Sequence, residues 1–217
     1  MQPADCHPAP IADRKYGAAA PPTDTEITYE DWGGRELSAE THSKVAFVEI
    51  DLSELTNTGS SFHECTFREC RFNASTHRDA AFLNCTFTLC NFFDATFDAC
   101  KLVGSMFDRC KFDLLKATGG DWSFVGLPGA DLSGASFNVV RMREADMTGV
   151  RGHGASLRRL DLGGAWLHKA DLSGADLRGS DLSDVDPTAL ELKGAIIDAE
   201  QAMQLVTGLG LDVRPID

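Results

Sequence analysis

Cysteine is the residue type in this 217-residue sequence whose spacing could indicate chemistry. Six of the seven cysteines are separated by 5, 10 or 15 residues: Cys65, Cys70, Cys85, Cys90, Cys100 and Cys110. Thiolates are ligands for zinc, so a metal site is one interpretation, although zinc sites mostly use shorter spacers and histidine partners. The regular spacing must therefore be explained before the sulfur atoms are assigned a role.

Most of the sequence shares this five-residue spacing. Between residues 45 and 197, 31 units can be numbered around a central residue i, and 26 of these centres are Phe, Leu, Met, Ile or Trp. Position i−2 is never Asp, Glu, Lys or Arg, and it holds all six cysteines. A helix repeats every 3.6 residues and a strand every 2, so neither alone explains the pattern. Two inward positions per unit, followed by a corner, predict one flat side of a tube, and four sides close a coil of about 20 residues.

Coils stacked at the strand spacing of roughly 4.8 Å place residues 20 apart in columns. One predicted column of centres contains Phe72, Phe92 and Phe112. The cysteines then form ladders inside the tube, where they act as small hydrophobic residues, and we favour this interpretation over a metal site. The inward residues His77 and Asn57 are expected to pair, because a buried polar group needs a partner. A ligand site at His77 is the alternative.

The repeat also supports a family resemblance. Ala170-Asp171-Leu172-Ser173-Gly174 and Ala130-Asp131-Leu132-Ser133-Gly134 resemble the motif of the pentapeptide-repeat family at every place. The resemblance implies an all-β solenoid, a right-handed quadrilateral β-helix of about 20 residues per coil and nearly eight coils, with a short C-terminal α-helix. A two-sheet β-helix is the alternative, but its rungs do not repeat every five residues.

Four segments are expected along the chain. Residues 1–31 are rich in Pro and Ala and form a flexible extension, and residues 32–44 form an N-terminal cap or an imperfect coil. Residues 45–197 form the repeat β-helix, with glycine corners of positive φ at Gly134, Gly164, Gly174, Gly179 and Gly194. Residues 198–217 form a capping helix and tail, because Asp198 and Gln201 match a capping box. Its apolar residues are expected to cap the last coil or to form a dimer contact: Met203, Leu205, Val206 and Leu209.

Composition and motifs exclude several classes of function. The sequence contains no catalytic or phosphate-binding motif, and a rod with a packed centre offers no cleft for a substrate. We therefore expect no enzyme, no cofactor and no metal. The net charge of −13 favours basic partners over nucleic acid. Without an apolar run of 18 residues or a secretory signal, we expect no membrane contact and a cytoplasmic location.

A narrower resemblance concerns function. The segment 76–87 and the tail 198–210 resemble actinobacterial fluoroquinolone-resistance proteins of the MfpA type and, more distantly, Qnr proteins. The resemblance implies a homodimeric rod that mimics duplex DNA and binds DNA gyrase, and the unbroken register follows the MfpA pattern, which lacks projecting loops. The acidic residues expected to contact gyrase are Asp131, Asp161, Asp171 and Asp181.

A structural or scaffolding module with an unrelated protein partner is the alternative function. It would use the apolar residues that the register turns outward: Leu89, Phe93, Leu114, Phe124 and Trp166. Isolated apolar residues are normal on a protein surface, whereas a contiguous patch indicates a partner. Whether these side chains adjoin one another therefore decides how far they support this alternative.

Overall fold

The computed structural model describes residues 19–214. Their secondary structure consists of short strands followed by one helix. The elements are β1 Thr25–Thr28, β2 Glu36–Ser38, β3 Thr41–Ser43, β4 Val45–Val48, β5 Thr56–Thr58, β6 Ser61–His63, β7 Thr66–Arg68, β8 Thr76–Arg78, β9 Ala81–Leu83, β10 Thr86–Thr88, β11 Thr96–Asp98, β12 Met106–Asp108, β13 Lys116–Thr118, β14 Ser136–Asn138, β15 Ser156–Arg158 and α1 Ala199–Gly208.

The strands stack in parallel on the sides of a four-sided tube. Side 1 contains the centres 47, 67 and 87 and the strand order β1-β4-β7-β10-β12, and side 3 contains the centres 57, 77 and 97 and seven strands from β2 to β15. Side 4 contains β3, β6 and β9, with the centres 62 and 82. Side 2, with the centres 52, 72 and 92, is joined by isolated bridges such as Asp51 to Arg71. Every pairing joins residues 20 apart, which confirms the predicted solenoid.

Stacked aromatic rings fill the N-terminal half of the tube. The ring centroids of Phe47 and Phe67 lie 4.8 Å apart, and those of Phe72 and Phe92 lie 4.7 Å apart. Phe92 and Phe112 continue the second column at 5.7 Å, and both side chains are buried. Fully burying each such ring stabilises the fold by roughly 1.5–3 kcal/mol, so the columns are a principal source of stability.

The corners require a left-handed backbone at position i+2, whether or not glycine occupies it. Gly174 and Gly179 have φ of 68° and 77°, but Glu49 and Leu89 adopt φ of 56° and 57° at equivalent corners. Gly134 is the exception among the predicted glycine corners, because it does not have positive φ. A side chain in this conformation costs roughly 1–2 kcal/mol, which the hydrogen bonds to the neighbouring coils must offset.

The ladder begins earlier than residue 45. Thr25 in β1 pairs with Val45, so a strand lies within the range 1–31 that the sequence assigned to an extension. Within the range 32–44, expected to be an imperfect coil, β2 and β3 pair in the regular register with β5 and β6. Residues 1–18, the remainder of the expected extension, lie outside the described residues.

The helix α1 closes the C-terminal end, and its capping box is confirmed. The Asp198 carboxylate accepts a hydrogen bond from the Gln201 N–H at 3.1 Å, and the Gln201 side chain accepts one from the Asp198 N–H at 2.9 Å. The Gln201 amide also donates to the carbonyl oxygens of Leu177 and Ser180, at 2.6 and 2.7 Å. One buried glutamine therefore both begins the helix and satisfies two carbonyls of the last full coil.

Candidate functional site

Two of the four predicted contact residues lie on side 2 with an arginine between them. Asp131, Arg151 and Asp171 follow one another in the same column, one coil apart. The Arg151 guanidinium lies 3.3 Å from the Asp131 carboxylate, so Asp131 is engaged in an exposed ion pair. Asp171 accepts hydrogen bonds from the backbone N–H and hydroxyl of Ser173 instead. Arg151 therefore interrupts the acidic residues of this column, which do not form a continuous acidic stripe.

The other two predicted residues lie on side 4, beside the C-terminal helix. The Asp161 carboxylate lies 3.1 Å from Arg143 and 3.8 Å from Arg141. Asp181 accepts the Ser183 N–H at 3.0 Å. Asp161, Asp181 and Arg143 line a groove of about 570 Å³ between this side and α1. The structure thus brings Asp161 and Asp181 together in a groove that also contains a base.

The aspartates at position i−1 have a local structural role as well. Hydrogen bonds from Ser133, Ser173 and Ser183 lower the pKa of the carboxyl groups of Asp131, Asp171 and Asp181, respectively. These carboxylates are therefore ionised at neutral pH. Because each one bonds to the backbone two residues later, the repeat itself explains their presence, independently of any partner.

The charge of the rod is concentrated at its ends. Residues 24–43, the first coil, contain six acids and one base, whereas residues 64–183 contain 15 acids and 14 bases. Residues 184–214 at the other end contain six acids and two bases. In the middle of the rod, ion pairs such as Arg71 with Asp51 and Lys116 with Asp94 place opposite charges side by side. The negative charge of the described chain is therefore concentrated at both ends of the rod, and the middle is nearly balanced.

The cysteine ladders form as predicted. Cys65, Cys70, Cys85, Cys90 and Cys100 are buried free thiols, and Cys110 is half-buried. Burial raises the pKa of the Cys85 and Cys90 thiols, while a hydrogen bond with Cys85 lowers that of Cys65 to about 7. Within residues 19–214, no group of three or more His, Cys, Asp or Glu side chains could hold a metal ion. The six thiols lie in or against the hydrophobic core, which is the environment of side chains that serve in packing.

The inward pair on side 3 is confirmed. Asn57 Nδ2 lies 3.3 Å from His77 Nδ1, and Ser75 Oγ lies 3.0 Å from His77 Nε2. The imidazole is fully buried and stacks on Phe97 with the ring centroids 4.8 Å apart. Burial lowers the pKa of His77 to about 3, so the ring is neutral near pH 7. Both ring nitrogens have hydrogen-bond partners inside the core, as predicted for a pair of buried polar residues.

The N-terminal end contains an arrangement that the sequence analysis missed. Trp32 Nε1 donates to the Glu30 carboxylate at 2.7 Å, and His42 Nε2 lies 3.2 Å from the Glu40 carboxylate. The Arg35 guanidinium lies 5.3 Å from the Trp32 ring centroid. Glu30, Arg35 and Glu40 occupy position i−2, which is uncharged in all later units. A charged residue at position i−2 is therefore the feature of the sequence that could have identified the end of the tube.

The four apolar residues predicted for the C-terminal segment divide into two groups. Leu205 packs against the core and Val206 is half-buried, whereas Met203 and Leu209 are 47% and 53% exposed. Leu211 and Val213, beyond the helix, are also exposed. One part of the segment therefore seals the tube, and another presents apolar surface to solvent.

The outward apolar residues on the rod are exposed, but they do not form one patch. Leu89, Leu114 and Phe124 lie at three different corners of the tube. Phe93 and Leu114 lie diagonally on successive coils. The hydrogen bond from the N–H of Asp94, which follows Phe93, to the carbonyl of Asp113, which precedes Leu114, shows this placement. Trp166, beside a groove of about 370 Å³, belongs to a later coil. This distribution resembles scattered surface residues more than a single docking patch.

These features define a four-sided parallel β-solenoid that displays side chains on its outer faces and packs its interior. A family model described as a pentapeptide repeat region matches residues 60–137, and one described as pentapeptide repeats (8 copies) matches residues 153–186. Together they account for more than half of the sequence. The chain belongs to the pentapeptide-repeat family.

Several solved structures resemble the chain. Trypsin-treated QnrB1, a plasmid-mediated fluoroquinolone resistance protein, is 22% identical, with 88% of this chain and 99% of that chain covered and a TM-score of 0.46. Full-length QnrB1 is 21% identical over 86% of this chain and 100% of its own, with a TM-score of 0.42. HetL, a pentapeptide-repeat protein involved in heterocyst differentiation regulation from the cyanobacterium Nostoc sp. strain PCC 7120, is 22% identical over 81% and 84%, with a TM-score of 0.36.

No curated protein matches the chain significantly. Among the described residues, no helix has the length and apolar character needed to cross a membrane.

Proposed function

We propose that this protein is a non-catalytic, cytoplasmic binding protein that interacts with DNA gyrase as a mimic of duplex DNA and protects gyrase from quinolones. The contact residues are the carboxylates on sides 2 and 4: Asp131, Asp161, Asp171 and Asp181. The partner is the gyrase protein, with no direct binding of nucleic acid. This proposal follows the sequence resemblance to fluoroquinolone-resistance proteins of the MfpA type.

The observation that carries the proposal is an uninterrupted rod with aspartate side chains at fixed intervals on two of its sides. Asp161 and Asp181 are one coil apart, and Asp131 and Asp171 are two coils apart, so their spacing is a multiple of roughly 4.8 Å. Duplex DNA likewise presents charge at regular axial intervals. A rigid ladder holds these groups in place before binding, so little ordering is needed when a partner docks.

The ion pairs on the rod weaken this mimicry without preventing it. Asp131 with Arg151 and Asp161 with Arg143 are exposed pairs. Exposed pairs contribute about 0–1 kcal/mol, so a basic surface on gyrase can compete with these arginines. Asp171 and Asp181, which are bonded to serines, need no such exchange. We therefore expect Asp171 and Asp181 to contribute more to binding than Asp131 and Asp161.

A supercoiling assay with purified gyrase tests the proposal. The native chain should inhibit supercoiling, and changing all four aspartates to asparagine should raise the inhibitory concentration about tenfold or more. Asparagine retains the acceptor for the following backbone N–H, so the corners should persist. The matched control changes four acids elsewhere to their amides: Glu49, Glu69, Asp79 and Asp108. A native chain that neither inhibits, protects nor binds gyrase would exclude the proposed function.

A scaffolding module remains the second candidate because Phe93 and Leu114 lie on successive coils and are 45% and 50% exposed. Salt separates the two candidates, since charge interactions between exposed groups are largely screened at 1 M. A complex with gyrase that dissociates as salt rises supports the acidic faces. A complex with a protein other than gyrase that persists in high salt and is lost in a Phe93→Ser variant supports the scaffolding module.

A further inference from the structure

We propose that the N-terminal end of the rod is a docking edge for an extended peptide of another protein, in which basic and apolar residues alternate. The strands β1, β2 and β3 each stand at one end of the order in their sheets. Within residues 19–214, each pairs on one side only, with β4, β5 and β6 respectively. Such an edge is a template for strand addition.

The direction of the backbone hydrogen bonds shows which groups the edge offers. In later coils, the N–H of the residue before each centre donates to the preceding coil. Asp51 donates to Glu30 at 3.1 Å, Thr56 to Arg35 at 2.9 Å and Ser61 to Glu40 at 2.8 Å. The equivalent first-coil residues have no preceding coil within the described residues: Glu26, Asp31, Glu36 and Thr41. Their N–H groups therefore face outward from the end of the tube.

The charge at this edge determines the chemistry of the partner. Three of the four residues with outward N–H groups are acidic, and the first coil contains six acids and one base in total. A second copy of the same end would be repelled by these carboxylates. The segment 1–18 contains two acids and two bases, so it offers no net charge to match them. A basic peptide from another protein is the occupant that complements the edge.

The strand period determines the sequence of that peptide. A strand added beside β1 would alternate its side chains between the outside and the inside of the tube. Its outward residues would lie next to Glu26, where Lys or Arg is complementary. Its inward residue would cover Ile27, which is half-buried at the open end of the core. The peptide is therefore basic and apolar in alternation, and it pairs through its main chain.

A labelled peptide, Lys-Val-Lys-Val-Lys-Val-Lys, provides the direct probe, with fluorescence anisotropy on the full chain at low salt as the measurement. Saturable binding of this peptide supports the edge. The proposal is overturned if a peptide of the same composition in the order Lys-Lys-Lys-Lys-Val-Val-Val binds equally well, because binding would then depend on charge alone. Equal binding of Glu-Val-Glu-Val-Glu-Val-Glu would likewise contradict it.

Two substitutions at one residue separate charge from strand pairing. Glu26→Gln removes the charge and should weaken binding about threefold. Glu26→Pro also removes the outward N–H, which an edge strand tolerates, and should weaken binding about a further three- to tenfold. Glu144→Gln, an exposed acid in the middle of the rod, is the matched control and should bind as the native chain does. Equal affinities for Glu26→Pro and Glu26→Gln would refute strand addition, and the gyrase assay would be unaffected.

Discussion

Asn57 lies one coil below His77, with the amide nitrogen of Asn57 3.3 Å from Nδ1 of the imidazole. The pair lies in a core that consists mainly of Phe, Leu, Cys and other apolar side chains, with the buried serines Ser60 and Ser75 beside it. Ser75 completes the imidazole's partners at Nε2. All the hydrogen-bonding groups of the ring are thus used, and no acid lies among its hydrogen-bond partners to stabilise a proton on it.

This arrangement predicts a loss of stability in mild acid. Burial lowers the pKa of His77 to about 3 in the folded chain, from 6.5 for an unperturbed histidine. The unfolded chain therefore binds a proton that the folded chain does not, and the stability present above about pH 6.5 is lost progressively towards pH 3. The expected slope is roughly 1.4 kcal/mol per pH unit. Urea unfolding between pH 7 and 5 measures it.

A double variant isolates this contribution. Asn57→Leu with His77→Phe replaces the polar pair by residue types that already occupy the same column, such as Leu37 and Phe97. Its unfolding free energy should change by about 2 kcal/mol less than that of the native chain between pH 7 and 5. His63→Gln, at an outward position, is the control and should retain the native slope. Identical slopes for the native chain and the double variant would contradict the assignment.

Two adjacent phenylalanines provide a direct test of inward and outward positions. Phe92 is fully buried between Phe72 and Phe112, whereas Phe93 is 45% exposed. Phe92→Ala should lower the free energy of unfolding by about 3–5 kcal/mol, because it removes a stacked ring and leaves a cavity. Phe93→Ala should change it by about 0.5 kcal/mol or less. Thermal and urea unfolding measure both, and similar losses for the two variants would contradict the column.

The period of five made most of the fold predictable from the sequence. Large residues such as Phe72, and the small Cys70 two positions before it, are required wherever coils stack. Their columns can therefore be predicted from the sequence by taking residues 20 positions apart. The first coil was predicted only as a cap or imperfect coil over residues 32–44, and its strand β1 was not predicted, because Glu30 and Glu40 place charge at position i−2, where the interior of the rod allows none. At an open end this charge is tolerated, since the carboxylates reach Trp32 and His42.

The chemistry of the outer faces was less predictable. The positions of Asp131 and Asp161 followed from the repeat, but their pairing with Arg151 and Arg143 depends on which side chains adjoin across coils. Residues on neighbouring columns, such as Arg143 and Asp161, also meet diagonally, and a one-dimensional count of charge does not show this. The distribution of charge along the rod, acidic at both ends and nearly balanced in the middle, could be assigned only after the coils were defined.

The burial of Cys90 and Cys100 in the cysteine ladders predicts slow reaction of these two thiols in the folded state. Desolvation raises the pKa of the Cys90 thiol and raises that of Cys100 to about 11, so little thiolate is available to react there. Cys110 is half-buried and should be alkylated by iodoacetamide before Cys90 and Cys100. Mass spectrometry after digestion measures each site, with and without urea. In urea all seven cysteines should react, and protected thiols or bound zinc there would contradict the packing role.

The exposed part of the C-terminal segment leads to the proposal of a homodimer. Gln201 and Leu205 face the last coil, whereas Met203 lies on the opposite face of α1 and Leu209 follows its end. Together with Leu211, they leave apolar surface exposed at one end of the rod. A second copy that covers this surface would remove it from water, at about 25 cal/mol for each Å² buried.

Charge substitutions on the exposed face test this dimer without disturbing the cap. Met203→Glu with Leu209→Glu should convert a species of twice the 23.4 kDa chain mass into a monomer, as measured by light scattering over a range of concentrations. The helix should persist because Leu205 and the Asp198–Gln201 capping box are unchanged. Leu89→Glu with Phe124→Glu, at corners of the rod, is the control and should remain dimeric. A native chain that stays monomeric at high concentration would exclude the dimer, and α1 would then serve only to seal the last coil.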